Sequence, residues 1–99
     1  MVIVEPVDTP EQAVTVANRV SYGLVASILT GAPYRGLELA PKVMAGIVNV
    51  NSSTVNDEPH VPMGGVRDSG WGRTGPDSVA DFTDVIWINT RSTERQYPF

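Results

Sequence analysis

Two short apolar runs separated by one helix-length stretch constrain this chain more than any other feature. Leu24 to Thr30 is mainly apolar, too short for a typical helix, and bounded by Gly23 and by Gly31-Ala32-Pro33, the pattern of a buried strand. Ile47-Val48-Asn49-Val50-Asn51 follows the natural stop Gly46 and reads as a second strand. Between them, Tyr34 to Met44 sets Leu37, Ala40, Val43 and Met44 on one side and predicts a helix. Pro41 disturbs that helix, because an interior proline removes a hydrogen bond and costs about 3 kcal/mol unless the helix bends there. Strand, helix, strand is a βαβ unit, with parallel strands and a right-handed crossover. The expected fold class is α/β.

The flanks carry their own signals. Val2 to Val4 is a short apolar run that fits a strand. Thr9-Pro10-Glu11-Gln12 combines a capping residue, a proline suited to the first helical position and a glutamine that completes a capping box. Ala13, Val16, Ala17 and Val20 then recur at helical spacing until Ser21-Tyr22-Gly23 ends the helix. Residues Ser52 to Gly75 hold Pro59, Pro62 and five glycines, so they read as an ordered irregular loop, and long loops inside compact domains are usually functional. Gly75-Pro76-Asp77-Ser78 starts one helical turn through Phe82. Val85-Ile86-Trp87-Ile88-Asn89 is the clearest strand pattern, apolar on both faces; such a strand must be covered on both sides by its own chain or a partner. The terminal Tyr97-Pro98-Phe99 points to a docked tail.

Composition removes several function classes. The net charge is −4 and the seven Lys and Arg are scattered, whereas nucleic-acid binding rests on clustered cations. Nucleic acid is therefore not an expected partner. No apolar run approaches the roughly 20 residues that span a bilayer, and Met1-Val2-Ile3-Val4-Glu5 has no basic n-region; no membrane partner and a cytoplasmic location are expected. The chain has no cysteine, which removes disulfides, thiolate metal sites and thiol nucleophiles together.

The remaining candidate sites are weak in context. Gly70-Trp71-Gly72-Arg73-Thr74-Gly75 satisfies G-x-G-x-x-G, but a dinucleotide fingerprint follows a strand and opens a helix, and Pro62 to Ser69 is no hydrophobic strand. A run of turns packed close to the sheet is the better reading. Asp57, Glu58 and His60 are imaginable metal ligands, yet Pro59 breaks their register, which favours a solvated loop. Ser52, Ser53 and Ser69 lack a nucleophile elbow, and His60 is the only histidine. Asn18 and Asn49 lie at element ends, where turn-holding and a site role compete. Trp71 and Trp87 fit core or interface anchors.

In order along the chain, Asn18, Tyr22-Gly23-Leu24, Gly46-Ile47-Val48-Asn49, Pro62-Met63-Gly64-Gly65-Val66-Arg67-Asp68-Ser69-Gly70-Trp71-Gly72-Arg73 and Phe82-Thr83-Asp84-Val85 resemble the C-terminal part of NAD(P)-dependent aldehyde dehydrogenases. The glycine-rich stretch is similar to that family's Pro-Phe-Gly-Gly-x-Lys-x-Ser-Gly-x-Gly-Arg pattern, with Met63 in place of the Phe and Arg67 in place of the Lys. Asn51 to His60 and the Tyr-Pro-Phe terminus resemble the vanillin, benzaldehyde and salicylaldehyde branch.

The resemblance implies a division of labour. The family's catalytic cysteine, its glutamate base, its oxyanion-binding asparagine and its cofactor domain lie upstream of the matched segment, so no catalytic or cofactor-binding residue carries over. What remains is the end of the catalytic domain over residues 1–75, including a substrate-pocket loop over 52–75, and an oligomerisation arm over 76–99. Thr54, Val55, His60 and Met63 are the implied pocket residues; Val85, Ile86, Trp87 and Ile88 are the implied interface of a homo-oligomer. The expected role is a part of an enzyme oxidising an aromatic aldehyde with NAD or NADP, with no cofactor bound by this segment and no activity from it alone. The alternative is a stand-alone oligomerisation module without enzymatic activity.

Overall fold

Helix α1, Pro10–Ala17, begins where its capping signals lie. The Thr9 hydroxyl accepts from the Gln12 amide at 3.2 Å, and the Gln12 side chain accepts from the Asp8 amide at 2.9 Å. The reciprocal cap is therefore displaced one residue from the ideal box, and it still satisfies two orphan donors. The helix ends at Ala17, a turn earlier than its apolar spacing predicts. Asn18 is diverted to other work: its amide donates to the Lys42 carbonyl at 2.8 Å and its Oδ1 accepts from the Met44 amide at 2.8 Å.

The computed structural model describes residues 1–56 and 58–98. After α1 come β1, Tyr22–Gly23, and β2, Val25–Ile28. Helix α2, Pro33–Leu39, follows, with a 3-10 turn over Ala40–Lys42 and then β3, Ile47–Val50. The long helix expected to Met44 is cut at Leu39 because Pro41 has no amide to continue the ladder. Strands β2 and β3 pair in parallel, Val25 opposite Ile47 and Ile28 opposite Val50, which is the expected βαβ unit. Gly36 is the contact point of α2 on this sheet: a Cβ there would lie 2.5 Å from Val50 Cγ1.

Residues 52–75 are mostly irregular, with one short strand, β4, Val66–Arg67, antiparallel to β1. A 3-10 segment over Pro76–Phe82 matches the expected helical turn. Two expected strands are absent. Residues 2–4 belong to no element and are 82–88% exposed. Val85–Asn89 likewise forms no ladder, and Val85, Ile86, Trp87 and Ile88 are 99, 77, 88 and 78% exposed. β-propensity does not make a strand without a neighbouring backbone to bond, and the chain offers none there. Phe99 lies outside the described residues; near it, the Arg95 guanidinium stands 5.2 Å from the centre of the Tyr97 ring.

Among the described residues the buried ones are all glycines, Gly23, Gly36, Gly64 and Gly65, and no apolar side chain is fully buried. The Cα radius of gyration is 21.6 Å, against about 13 Å for a compact 100-residue domain. The βαβ unit is thus half of a layered structure, with apolar faces that call for further layers. No helix among the described residues is long and apolar enough to cross a membrane.

Candidate functional site

The glycine-rich segment is folded into a closed sub-loop whose ends meet. Met63 donates to the Thr74 carbonyl at 3.3 Å and accepts from the Thr74 amide at 2.8 Å, a single antiparallel bridge. Inside it, the Arg73 guanidinium donates to the Gly65 carbonyl at 2.8 Å. This sub-loop is fastened to the sheet at three points. β4 pairs with β1, the Asp68 amide donates to the Ser21 carbonyl at 3.1 Å, and the Gly23 amide donates to Ser69 Oγ at 2.9 Å.

Close backbone approach explains the glycines better than a phosphate cradle does. A Cβ on Gly46 would sit 1.7 Å from the Gly64 carbonyl oxygen, so the start of β3 and the Gly64–Gly65 backbone touch directly. Gly75 packs against Pro62, with 3.1 Å between its notional Cβ and the proline Cα. The Gly70 to Gly75 run is irregular, with bends at Trp71 and Gly75, and is followed by a 3-10 segment; it opens no α-helix. The Gly70–Gly75 run therefore lacks the strand, glycine turn and helix N-terminus that make up a dinucleotide fingerprint.

The four expected pocket residues share one loop and differ in how they are held. Met63 is half-buried and fixed by its bridge to Thr74. Thr54 and Val55 are exposed near the loop's start, where the Val55 amide donates to Ser53 Oγ at 3.1 Å. His60 is exposed, 4.0 Å from the Glu58 carboxylate, beside a turn closed by the Val61 amide on the Glu58 carbonyl at 2.9 Å. Thr54, Val55 and His60 are exposed and Met63 is half-buried, and no hydrogen bond among the described residues joins the four to one another. None of them lines the cleft between α1, β2 and α2, which is walled by Val14, Ala17, Ile28, Leu39 and Val43.

The sharper chemical readings have no support in this geometry. Asp57 lies outside the described residues, and among the described ones no three His, Asp or Glu gather for a metal. The hydroxyls of Ser53 and Ser69 accept backbone amides and the Ser52 carbonyl accepts from Ser27 Oγ, while His60 meets Glu58 and no serine. Of the two asparagines singled out by position, Asn18 links two segments and Asn49 lies within β3. Asn18 bridges α1 to the segment before β3, and Asn49 Oδ1 accepts from the Asn56 amide at 3.4 Å. The Asn49 amide nitrogen itself is buried without a partner among the described residues.

Sequence reasoning missed two residues with unusual backbone conformation at the ends of this loop. Asn51 and Arg67 have φ of 56° and 55°, the only non-glycine residues with positive φ among those described. Asparagine is a known occupant of that region, so Asn51 carried a faint signal. Arginine carries none.

Comparison with known proteins agrees with this architecture. The sequence profile of the aldehyde dehydrogenase family matches residues 1–88. The chain is 43% identical over 94 residues to the NAD(+) benzaldehyde dehydrogenase of Pseudomonas putida, covering 93% of this chain and 19% of that protein. It is 38% identical over 89 residues to a vanillin dehydrogenase of Pseudomonas fluorescens, covering 89% and 18%. The crystal structure of a salicylaldehyde dehydrogenase from Pseudomonas putida G7, complexed with salicylaldehyde, superposes with a TM-score of 0.81 at 33% identity over 90% of this chain and 19% of that one. An aldehyde dehydrogenase from Bacillus cereus in complex with NAD+ gives 0.80 at 34% over 91% and 19%. The chain thus spans about a fifth of the length of the relatives it matches. By profile, by identity and by fold, this chain belongs to the aldehyde dehydrogenase family.

Proposed function

We propose that the chain supplies one wall of the substrate site of an NAD(P)-dependent aldehyde dehydrogenase that oxidises an aromatic aldehyde to its carboxylic acid. The observation that carries this reading is the 0.81 superposition on the salicylaldehyde complex, joined to 43% identity with a benzaldehyde dehydrogenase. Thr54, Val55, His60 and Met63 are the proposed wall, and residues 76–99, with Val85, Ile86, Trp87 and Ile88, the proposed homo-oligomer arm.

The chain's own contribution is shape. Met63 offers a flexible apolar thioether to an aromatic ring, and the bridge to Thr74 fixes where that thioether begins. Thr54 and His60 add polar edges on the same loop. With no cysteine in the chain, bond-making falls to other parts of the enzyme, as does holding the dinucleotide, which supplies the hydride acceptor when bound.

The test is a graft: residues 1–99 replace the segment they match in the Pseudomonas putida benzaldehyde dehydrogenase. Benzaldehyde-dependent reduction of NAD or NADP by the soluble graft is the expected result. A folded graft without turnover refutes the reading.

A further inference from the structure

We propose that Asn51 and Arg67 are positioning residues, the two left-handed feet that fix the direction of the loop bearing Thr54, Val55, His60 and Met63. The inference rests on the reading of that loop as a pocket wall. It starts from an outlier: among the described residues only these two non-glycines adopt positive φ, and they stand at the two ends of residues 52–66. L-residues avoid this region because Cβ crowds the following carbonyl, so each needs contacts that hold it there.

Each foot is pinned by its own side chain. Asn51 follows β3 directly; its amide donates to the Ile28 carbonyl at 2.8 Å, and its Oδ1 accepts from the Thr30 amide at 2.7 Å. The residue thereby clamps the ends of both parallel strands at the point where the chain turns away. Arg67 donates from Nη1 to the carbonyls of Asn18 at 2.9 Å and Val20 at 2.6 Å, and its Nη2 lies against Met44 Sδ. The two carbonyls belong to the exit of α1, where acceptors are unsatisfied and a cation is favoured. Asn18 carries the restraint onward to Lys42 and Met44, beside the start of β3.

From 63 to 66 the loop is also held by the Met63–Thr74 bridge, the Arg73 bond to Gly65 and the pairing of Val66 with Gly23. From 52 to 62, among the described residues, its hydrogen bonds are short-range turns at Ser53–Val55 and Glu58–Val61, the long Asn56–Asn49 contact and the Ser27 hydroxyl on the Ser52 carbonyl. Pairing of β4 with β1 fixes where Arg67 stands, and its left-handed turn together with the Met63–Thr74 bridge sets the direction in which Met63 is presented. A rigid pair of ends with a locally folded span between them transmits any tilt at a foot to the whole wall. This is the supporting shell that a binding surface needs if its first layer is to be held in one geometry.

The experiment compares Asn51→Leu and Arg67→Met with the conservative changes Asn51→Asp and Arg67→Lys, in the graft and in the 99-residue chain. Asp keeps an acceptor for the Thr30 amide and tolerates positive φ; Lys keeps the cation at the α1 exit. Two readouts are taken: amide hydrogen exchange over residues 52–66 and in α1, and the ratio of kcat/KM for benzaldehyde to that for hexanal. Asn51→Leu and Arg67→Met are expected to speed exchange in the loop at least tenfold with the first turn of α1, which Arg67 does not touch, unchanged. They should also lower the aromatic preference at least fivefold, mainly through KM, and the conservative changes should recover most of both effects. Exchange and selectivity unchanged in both disruptive variants overturn the proposal. So does an equal rise of exchange in the first turn of α1 and the loop, which marks a purely global destabilisation. If the graft folds but oxidises no aldehyde, the pocket reading fails, and the exchange pattern still decides whether the feet orient the loop.

Discussion

Gly46→Ala tests the glycine with least room for a side chain among the described residues. The added methyl would lie 1.7 Å from the Gly64 oxygen, 2.8 Å from the Gly64 carbonyl carbon and 3.2 Å from Gly65 Cα, whereas real Cβ atoms do not approach within 3.0 Å. Relief requires the Gly64 backbone to retreat by about 1.3 Å. Room for that retreat is limited, because Gly64 also lies close to Gly72 O and the Arg73 side chain. The shift therefore passes along the chain to Met63. Overpacking of this kind costs about 1–3 kcal/mol, and a misplacement of about 1 Å at a site is worth up to about 100-fold in rate. In the graft we expect a lower urea midpoint and a 10- to 100-fold loss of kcat/KM for benzaldehyde, a range set by those same effects. Gly31→Ala is the control: nothing lies within 4 Å of its notional Cβ and its φ is not left-handed, so activity should hold. Wild-type stability and turnover in Gly46→Ala would refute the close-approach argument.

Other perturbations address separate parts of the account. Met63→Phe in the graft should change the ratio of aromatic to aliphatic turnover by roughly 10- to 200-fold, the range for one or two apolar carbons in a pocket; identical ratios before and after remove Met63 from the wall. Thr9→Ala should cost α1 about 1 kcal/mol, read as roughly fivefold faster exchange of the Asn18 amide, which donates to the Val14 carbonyl at 3.0 Å. An unchanged rate there means that the cap contributes nothing. Ile86→Asp with Ile88→Asp should shift the graft to a smaller species in sedimentation, since both side chains are more than three-quarters exposed in the single chain and an apolar edge of this kind is normally covered. The same assembly in variant and parent removes residues 76–99 from the interface.

The βαβ unit was legible because its signals are local and agree with one another. Gly23, Gly31 and Gly46 punctuate the strands, and the parallel register of β2 on β3 follows from the helix between them. Helix ends were less legible. The apolar stripe of α1 continues to Val20, but Asn18 spends its side chain on Lys42 and Met44, contacts 24 and 26 residues away that no window of sequence contains. Val85–Asn89 forms no ladder in the single chain for a related reason: its residues favour a strand, and a ladder needs a neighbouring backbone, which for this segment was expected from its own chain or a partner. In the loop, the motif identified Met63 and its glycines, whereas the left-handed feet at Asn51 and Arg67 depend on tertiary hydrogen bonds.

The central claim is that this chain shapes an aromatic-aldehyde site and makes no bonds itself. Its most direct test is nicotinamide reduction by purified residues 1–99 with benzaldehyde and either NAD or NADP, against a no-protein blank. Oxidation in the resembled family passes through a covalent adduct on an activated thiolate, and the chain has no cysteine. We expect no protein-dependent reduction from the chain alone under conditions in which the graft turns over. Reduction that scales with the concentration of residues 1–99 and survives repurification would contradict the account and turn the search to Ser52, Ser53 and Ser69.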